Sequence, residues 1–199
     1  MTASLVHPHQ PRRTPAPRHG EPLQAVPAPL RLVPEPEGLL QIHTAPFRGS
    51  FGVVFSQALR SAGLGSRVLV SQFLKGGVDQ GPGGSLRLCG RLEWLRPAMA
   101  LCLELPAQTL AGSEEGTEAL AAVQQVWGIS RDQLRAGSVD LMVLDELGLA
   151  IELGYLEIDE VAATLGERPS HVDVILTGPA IPAALMAMAD QVTELRRGL

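Results

Sequence analysis

Several residue types that point to particular functions are scarce in this 199-residue chain. Lysine occurs once, at Lys75, among sixteen basic residues, and the net charge of −5 argues against general nucleic-acid binding. Cys89 and Cys102 have neither a CxxC nor any other metal-ligand spacing, so we expect reduced thiols. No apolar run reaches the ~18 residues of a membrane span, and the N-terminus lacks the apolar core of a secretory signal. We therefore expect a cytoplasmic protein.

Proline is plentiful but unevenly placed. Nine of the sixteen prolines fall within the first 36 residues, where few apolar residues accompany them. Such a segment buries too little apolar surface to offset the entropy of ordering its backbone. The composition predicts a disordered tail over residues 1–37 and a folded domain over residues 38–199.

In that domain, apolar patterns typical of strands alternate with patterns typical of helices. The predicted strands cover about 39–42, 67–73, 86–94, 139–144, 172–177 and 192–195, and the predicted helices about 51–64, 113–135, 146–153, 157–166 and 181–189. This alternation is typical of α/β proteins with a doubly wound, mostly parallel sheet covered by helices on both faces.

The most informative stretch is Leu141-Met-Val-Leu-Asp-Glu-Leu-Gly148. Its apolar run suits a strand buried on both faces, and its carboxyl end is where open α/β sheets bind ligands. Asp145 and Glu146 at that end are candidate Mg²⁺ ligands beside a nucleotide phosphate, because hard cations prefer oxygen. The alternative is that the two acids cap the following helix.

The first strand-to-helix loop has the position of a phosphate-binding loop but not its usual residues. A nucleotide-binding loop uses glycines, a lysine and a serine or threonine. This chain has Thr44-Ala-Pro-Phe-Arg-Gly-Ser-Phe-Gly52 instead.

From Leu39 to Leu195 the chain resembles the P-loop family of corrinoid adenosyltransferases, which act in cobalamin biosynthesis or salvage. The matching stretches are Phe55-Ser-Gln-Ala-Leu-Arg-Ser-Ala-Gly63, Val68-Leu-Val-Ser-Gln-Phe-Leu-Lys-Gly76, Leu144-Asp-Glu-Leu147, Gly154-Tyr-Leu156, Arg168-Pro169, Val174-Ile-Leu-Thr-Gly178 and Ala189-Asp-Gln-Val-Thr-Glu-Leu195. The resemblance implies a P-loop NTPase fold and transfer of the 5′-deoxyadenosyl group of ATP, with Mg²⁺, to a cob(I) corrinoid.

The family's loop reads Thr-Gly-Asn-Gly-Lys-Gly-Lys-Thr-Thr, and this chain departs from it. Thr44 and Gly49 agree with that pattern, and Arg48 keeps a positive charge. Ser50 stands where the phosphate-binding lysine belongs, and Phe51 where the Mg²⁺-binding threonine belongs. A later family arginine is replaced by Pro179. These losses predict weakened MgATP binding, because charge-assisted contacts to phosphate are removed.

The resemblance implies roles for the remaining candidate residues. Thr44, Arg48, Gly49 and Ser50 are the predicted nucleotide-binding residues, and Asp145 and Glu146 the predicted metal ligands. Gln72, Lys75 and Trp94 are predicted to lie on the corrinoid or loop side. For Trp94 core packing is the alternative, and for Lys75 a solvated loop position.

Two functions follow from this sequence. The first is a divergent corrinoid adenosyltransferase that uses ATP, Mg²⁺ and a cob(I) corrinoid. The alternative is a non-catalytic relative that binds a small ligand or a protein. By family analogy we also expect a homodimer.

Overall fold

A seven-stranded sheet runs through the part of the protein that the computed structural model describes, which comprises residues 37–49, 51–77 and 81–196. The strands are β1 (Leu40–Thr44), β2 (Val68–Gln72), β3 (Leu86–Leu88), β4 (Leu92–Leu95), β5 (Leu141–Asp145), β6 (Asp173–Gly178) and β7 (Gln191–Glu194). The helices are α1 (Gly52–Gly63), α2 (Glu114–Arg135), α3 (Leu147–Glu152), α4 (Ile158–Gly166) and α5 (Ala183–Met188), and a short 3₁₀ helix covers Ala107–Leu110.

The strands lie in the order β3-β4-β2-β5-β6-β1-β7. Every neighbouring pair is parallel except β3 and β4. Hydrophobic clusters cover both faces, so the prediction of an α/β fold with a mostly parallel sheet is confirmed. The predicted disordered tail over residues 1–37 lies almost entirely outside the described residues and stays a prediction.

Side chains that alternate along a strand belong in turn to the hydrophobic clusters on the two faces of the sheet. In β5, Leu141 and Val143 belong to the cluster under α1. Met142 and Leu144 belong to the larger cluster, to which α2, α3, α4 and α5 all contribute. Successive strand side chains point to opposite faces, so a fully apolar strand serves both cores at once.

Helix α2 begins and ends close to where the sequence predicts. The hydroxyl of Ser113 accepts a hydrogen bond from the backbone N–H of Gly116 at 3.0 Å, and Glu114 and Glu115 occupy the first turn. Both features stabilise a helix N-terminus. No helix within the described ranges is long and apolar enough to cross a membrane.

The predicted strand over 86–94 is wrong in one respect. The structure divides it into β3 and β4, which pair antiparallel with Leu88 opposite Leu92. Cys89 and Gly90 both have positive φ angles, 53° and 69°. Left-handed backbone at consecutive residues reverses the chain tightly, and only Gly90 signals it in the sequence.

We predict that a chain beginning at residue 36 folds without the preceding segment. Among the described residues, hydrogen bonding begins at Gly38, whose N–H donates to the Ser170 carbonyl at 2.6 Å, and at Leu39, whose N–H donates to Asp173 at 2.9 Å. The truncated protein should unfold in one cooperative thermal transition, with a midpoint close to that of the full chain. A broad transition or aggregation would contradict the prediction.

Candidate active site at the carboxyl edge of the sheet

Three neighbouring strands end in polar side chains that share one face of the sheet. Gln72 is in register with Asp145, and Asp145 with Thr177. Two residues earlier, Val70, Val143 and Ile175 all belong to the cluster under α1. Because strand side chains repeat every second residue, the three polar residues continue that same face. All three are buried.

Asp145 is fully buried, and both of its carboxylate oxygens accept hydrogen bonds. Oδ1 accepts from the Thr177 hydroxyl at 2.7 Å. Oδ2 accepts from Gln72 Nε2 at 2.6 Å and from Lys75 Nζ at 2.7 Å. The Lys75 contact is also an ion pair, in which the lysine side chain is 21% exposed and the aspartate 0%. The buried negative charge is therefore neutralised from the solvent side.

Gln72 connects this carboxylate to strand β4. Its Oε1 accepts hydrogen bonds from Trp94 Nε1 at 2.9 Å and from Arg96 Nε at 2.7 Å. Trp94 stacks on Phe55 of α1, with ring centroids 5.2 Å apart, and the Arg96 guanidinium lies 6.0 Å from the Trp94 ring. With donors on one side and an acceptor on the other, the Gln72 amide is fixed in orientation.

Glu146 leaves the sheet in an unusual backbone conformation. Its φ of 61° and ψ of 23° are left-handed, which costs free energy for a residue other than glycine. Its N–H donates to the Thr177 carbonyl at 2.7 Å. A Cβ atom on Gly178 would lie 3.0 Å from the Glu146 Cα, so glycine allows this close approach. Glu146 is the residue immediately before α3, but its side chain makes no capping hydrogen bond to that helix.

Arg48 meets Glu146 across the mouth of the site. Its Nε donates to Oε1 at 2.9 Å and its Nη2 to Oε2 at 2.7 Å, a bidentate pair. The remaining Nη1 donates to the carbonyl of Leu103 at 2.9 Å. The hydrogen bond with Glu146 raises the pKa of Arg48 above its usual range. The strand-to-helix loop is thereby tied to the end of β5 and to the segment before the 3₁₀ helix.

Phe51 lies in the hydrophobic core. It is the residue before α1, is 5% exposed, and belongs to the cluster that includes Ala45, Val54 and Ile175. An aromatic ring packed among aliphatic side chains offers no metal ligand. The position to which the resemblance assigns a Mg²⁺-binding threonine is thus part of the core beneath α1.

A cavity of about 380 Å³ opens over these ion pairs. Its lining combines basic, acidic and small residues, namely Arg48, Gly49, Lys75, Gly76, Arg96, Cys102, Glu104 and Glu146. A second cavity of about 430 Å³ shares Cys102 and Glu104 with it and is otherwise lined largely by apolar residues of 98–105 and by the start of α2. A polar and an apolar compartment thus adjoin.

The structure brings most of the predicted site residues together. Arg48, Gly49, Lys75 and Glu146 line one cavity. From Lys75, hydrogen bonds lead away from the cavity to Asp145, then to Gln72 and then to Trp94. Thr44 lies apart from the cavity lining and donates through its hydroxyl to the Gly178 carbonyl at 3.0 Å, and Ser50 is outside the described residues. The functional assignments of these residues stay predictions.

Sequence reasoning missed Arg96, Thr177 and Glu104. Thr177 falls two residues after Ile175 on β6, so alternation could have placed it beside Asp145. Arg96 comes just after β4 ends, where alternation no longer determines side-chain direction. Glu104 lies in a segment without regular structure, and no sequence signal identifies it.

The acidic pair does not fit a directly bound Mg²⁺. Each of the four carboxylate oxygens of Asp145 and Glu146 already accepts a hydrogen bond, and both charges are matched by Lys75 and Arg48. The described ranges contain no group of three or more His, Cys, Asp or Glu residues that could hold a metal ion. A divalent cation at this point would lie next to two cations without an unmatched buried anion.

Comparison with known proteins extends the resemblance across the whole sheet. A family model described as ATP:corrinoid adenosyltransferase BtuR/CobO/CobP matches residues 36–198. The corrinoid adenosyltransferase of Escherichia coli K12 is 33% identical over 159 residues, covering 80% of this chain and 76% of that protein. CobA of Salmonella typhimurium, also a corrinoid adenosyltransferase, is 31% identical over 163 residues, covering 81% and 78%. The Pseudomonas aeruginosa corrinoid adenosyltransferase is 28% identical, covering 79% and 74%.

Proposed function

Because this chain belongs to the ATP:corrinoid adenosyltransferase family, we propose that it transfers the 5′-deoxyadenosyl group of ATP to a cob(I) corrinoid. The cobalt of the reduced corrinoid supplies the electron pair for the new cobalt–carbon bond. The bond between C5′ and the triphosphate oxygen breaks, and triphosphate leaves with the electron pair of that C5′–O bond. The corrinoid is a substrate here and not a resident cofactor.

The observation that carries this proposal is the position of the cavity. It lies at the carboxyl edge of a parallel sheet, where α/β proteins bind their ligands, and Arg48, Lys75 and Arg96 face it. Those cations suit the triphosphate, on which negative charge increases as the C5′–O bond breaks. The adjoining apolar cavity provides a neighbouring surface for the nonpolar parts of a larger substrate.

The roles of the chain's own residues follow from their contacts. Gln72 fixes Arg96, because its Oε1 accepts the Arg96 Nε–H while its Nε2 is held by Asp145. Lys75 is held by the same carboxylate. These groups are oriented before any ligand arrives, which reduces the free-energy cost of organising them around a transition state.

The alternative, a non-catalytic binding module, is not favoured, because the relatives compared above are named as adenosyltransferases. A cytoplasmic location belongs to the proposal, since Cys89 and Cys102 are exposed thiols without a disulfide. Homodimer formation also remains a prediction from family analogy.

The test is an anaerobic adenosylation assay on the full chain, with ATP and chemically reduced cob(I)alamin. Formation of the light-sensitive cobalt–carbon product, measured by its absorbance, is the expected result. Reactions without ATP or without protein serve as controls. Absence of product, with a well-folded protein and an active relative assayed in parallel, would reject the proposed activity.

We predict that Arg96→Ala lowers kcat/KM for ATP by about 10- to 100-fold, the loss expected for one charge-assisted contact. The substitution leaves the Trp94 hydrogen bond to Gln72 in place, so the buried amide keeps a donor. Arg91→Ala is the matched control, because Arg91 lies near β4 but donates to the Gly65 carbonyl outside the cavity. Equal activity of the two variants would remove Arg96 from the site.

A further inference from the structure

We infer that Arg48 and Lys75 take the place of the divalent cation in this site, so that an oxyanion such as a triphosphate binds here without Mg²⁺. The inference rests on the proposed function only for the identity of that anion. Its physical basis is the arrangement of the two ion pairs, which can be tested with inorganic tripolyphosphate and Mn²⁺ alone.

Both ion pairs have the same orientation, with the acid inside and the base outside. The Glu146 side chain is 1% exposed and its partner Arg48 is 32% exposed. The Asp145 side chain is 0% exposed and its partner Lys75 is 21% exposed. An approaching ligand therefore meets the cations first, while the carboxylates lie beneath them. A metal ion bound on two buried carboxylates would present positive charge in the same direction.

The contacts of Arg48 make it a fixed cation. All three guanidinium nitrogens donate, two of them to Glu146 and one to the Leu103 carbonyl, so the group cannot turn away without breaking several hydrogen bonds. The side chain is nevertheless 32% exposed, so the fixed guanidinium remains accessible to an oxyanion. Lys75 Nζ has three donors, of which Asp145 accepts one. Among the described residues, the other two donors have no hydrogen-bond partner.

The loop between β1 and α1 also supports the replacement of a metal ion by these two cations. The resemblance assigns a metal-binding hydroxyl to position 51. In this chain the residue is Phe51, which is buried in the core. One acid, Glu104, lines the cavity without being buried, and its negative charge also raises the pKa of Arg48. The replacement of a metal ion by fixed cations thus involves the β1–α1 loop, the two buried acids and their basic partners.

The first experiment measures tripolyphosphate binding to the full chain by calorimetry, once in EDTA and once in excess Mg²⁺. We expect binding in EDTA that is at least as tight as binding in Mg²⁺, because the protein supplies the countercharge. Lys75→Ala should weaken binding about tenfold or more, as loss of a charged contact predicts. Arg67→Ala, which removes a surface arginine paired with Asp140, should leave it unchanged.

The second experiment follows Mn²⁺ by electron paramagnetic resonance. The unaltered chain should show no saturable binding. Arg48→Ala or Lys75→Ala, each of which uncovers one acid, should gain a Mn²⁺ site that Glu146→Gln or Asp145→Asn then removes. Two variants are included because either one alone could fail to fold.

The inference would be overturned by tripolyphosphate binding that requires Mg²⁺, by no binding under either condition, or by a Mn²⁺ site in the unaltered chain that Glu146→Gln abolishes. Failure of both uncovered variants to gain Mn²⁺ would also overturn the replacement of the metal by these cations. The adenosylation assay is read separately. Mg²⁺-dependent turnover would reject the inference and keep the proposed function. Metal-free anion binding without turnover would keep the inference and reject the proposed function.

Discussion

Replacing Arg48 by alanine is expected to lower the thermal unfolding midpoint of the protein by roughly 6–12 °C, from a loss of about 3 kcal/mol. The reason is the partner that remains. Glu146 is 1% exposed, and without the guanidinium its charge is buried and unpaired. We take the low end of the range for broken buried pairs, because Arg48 itself is about one-third exposed.

Two controls make this measurement specific. Arg67→Ala breaks the ion pair with Asp140, in which both side chains are well exposed, and should leave the midpoint nearly unchanged. Adding Glu146→Gln to Arg48→Ala removes the buried charge and should recover part of the loss. If Arg48→Ala alone unfolds at the temperature of the unaltered chain, the pair does not stabilise the fold.

Phe51→Thr is expected to destabilise the protein by about 3–4 kcal/mol, comparable to truncation of other buried aromatic residues. The ring is 5% exposed, and its removal would leave a cavity in the cluster under α1. The new hydroxyl would also be buried among apolar side chains. Chemical denaturation, with the slope held common to all variants, measures the difference.

The matched controls change either Phe51 itself or a nearby exposed residue of α1. Val53→Thr introduces threonine two residues later at a position that is 79% exposed, and should be nearly neutral. Phe51→Leu keeps most of the buried apolar volume and should cost about 1 kcal/mol. A Phe51→Thr protein as stable as the Val53→Thr protein would show that the ring does not contribute to the core.

The position of Phe51 also limits any attempt to rebuild the family's loop. A variant carrying Ser50→Lys, Phe51→Thr and Pro179→Arg, with Pro46→Asn and Phe47→Gly, would supply the residues that phosphate and metal require. It would also carry the cost of the cavity left by the ring. At position 51, restoring the hydroxyl therefore conflicts with keeping the core under α1 packed.

The fold was largely predictable because its signal is local. The apolar run before Asp145 predicted a strand buried on both faces, and β5 is buried at every residue. The periodicity and acidic first turn of α2 likewise predicted its position. The division of residues 86–95 into β3 and β4 was missed, because the left-handed conformation of Cys89 depends on tertiary pairing.

The candidate site was only partly predictable because its contacts are not local. Asp145 and Glu146 could be placed at the end of a strand, and Arg48 in the first loop. Their ion pairs could not be deduced, since Arg48 and Glu146 are 98 residues apart and Lys75 and Asp145 are 70 apart. The positive charge retained at Arg48 suggested phosphate binding, which stays a prediction, but nothing in the sequence indicated its bidentate pair with Glu146.

The long sequence separations within this network have a kinetic consequence. The hydrogen bonds that Gln72 makes span 22, 24 and 73 residues, and that between Thr177 and Asp145 spans 32. Such contacts form only after loop-closure entropy has been overcome and strands β2, β4, β5 and β6 have found their register. We therefore expect the network to assemble late in folding. Trp94, one of two tryptophans in the chain, lies within this network, so a change in its fluorescence is expected when the native sheet forms.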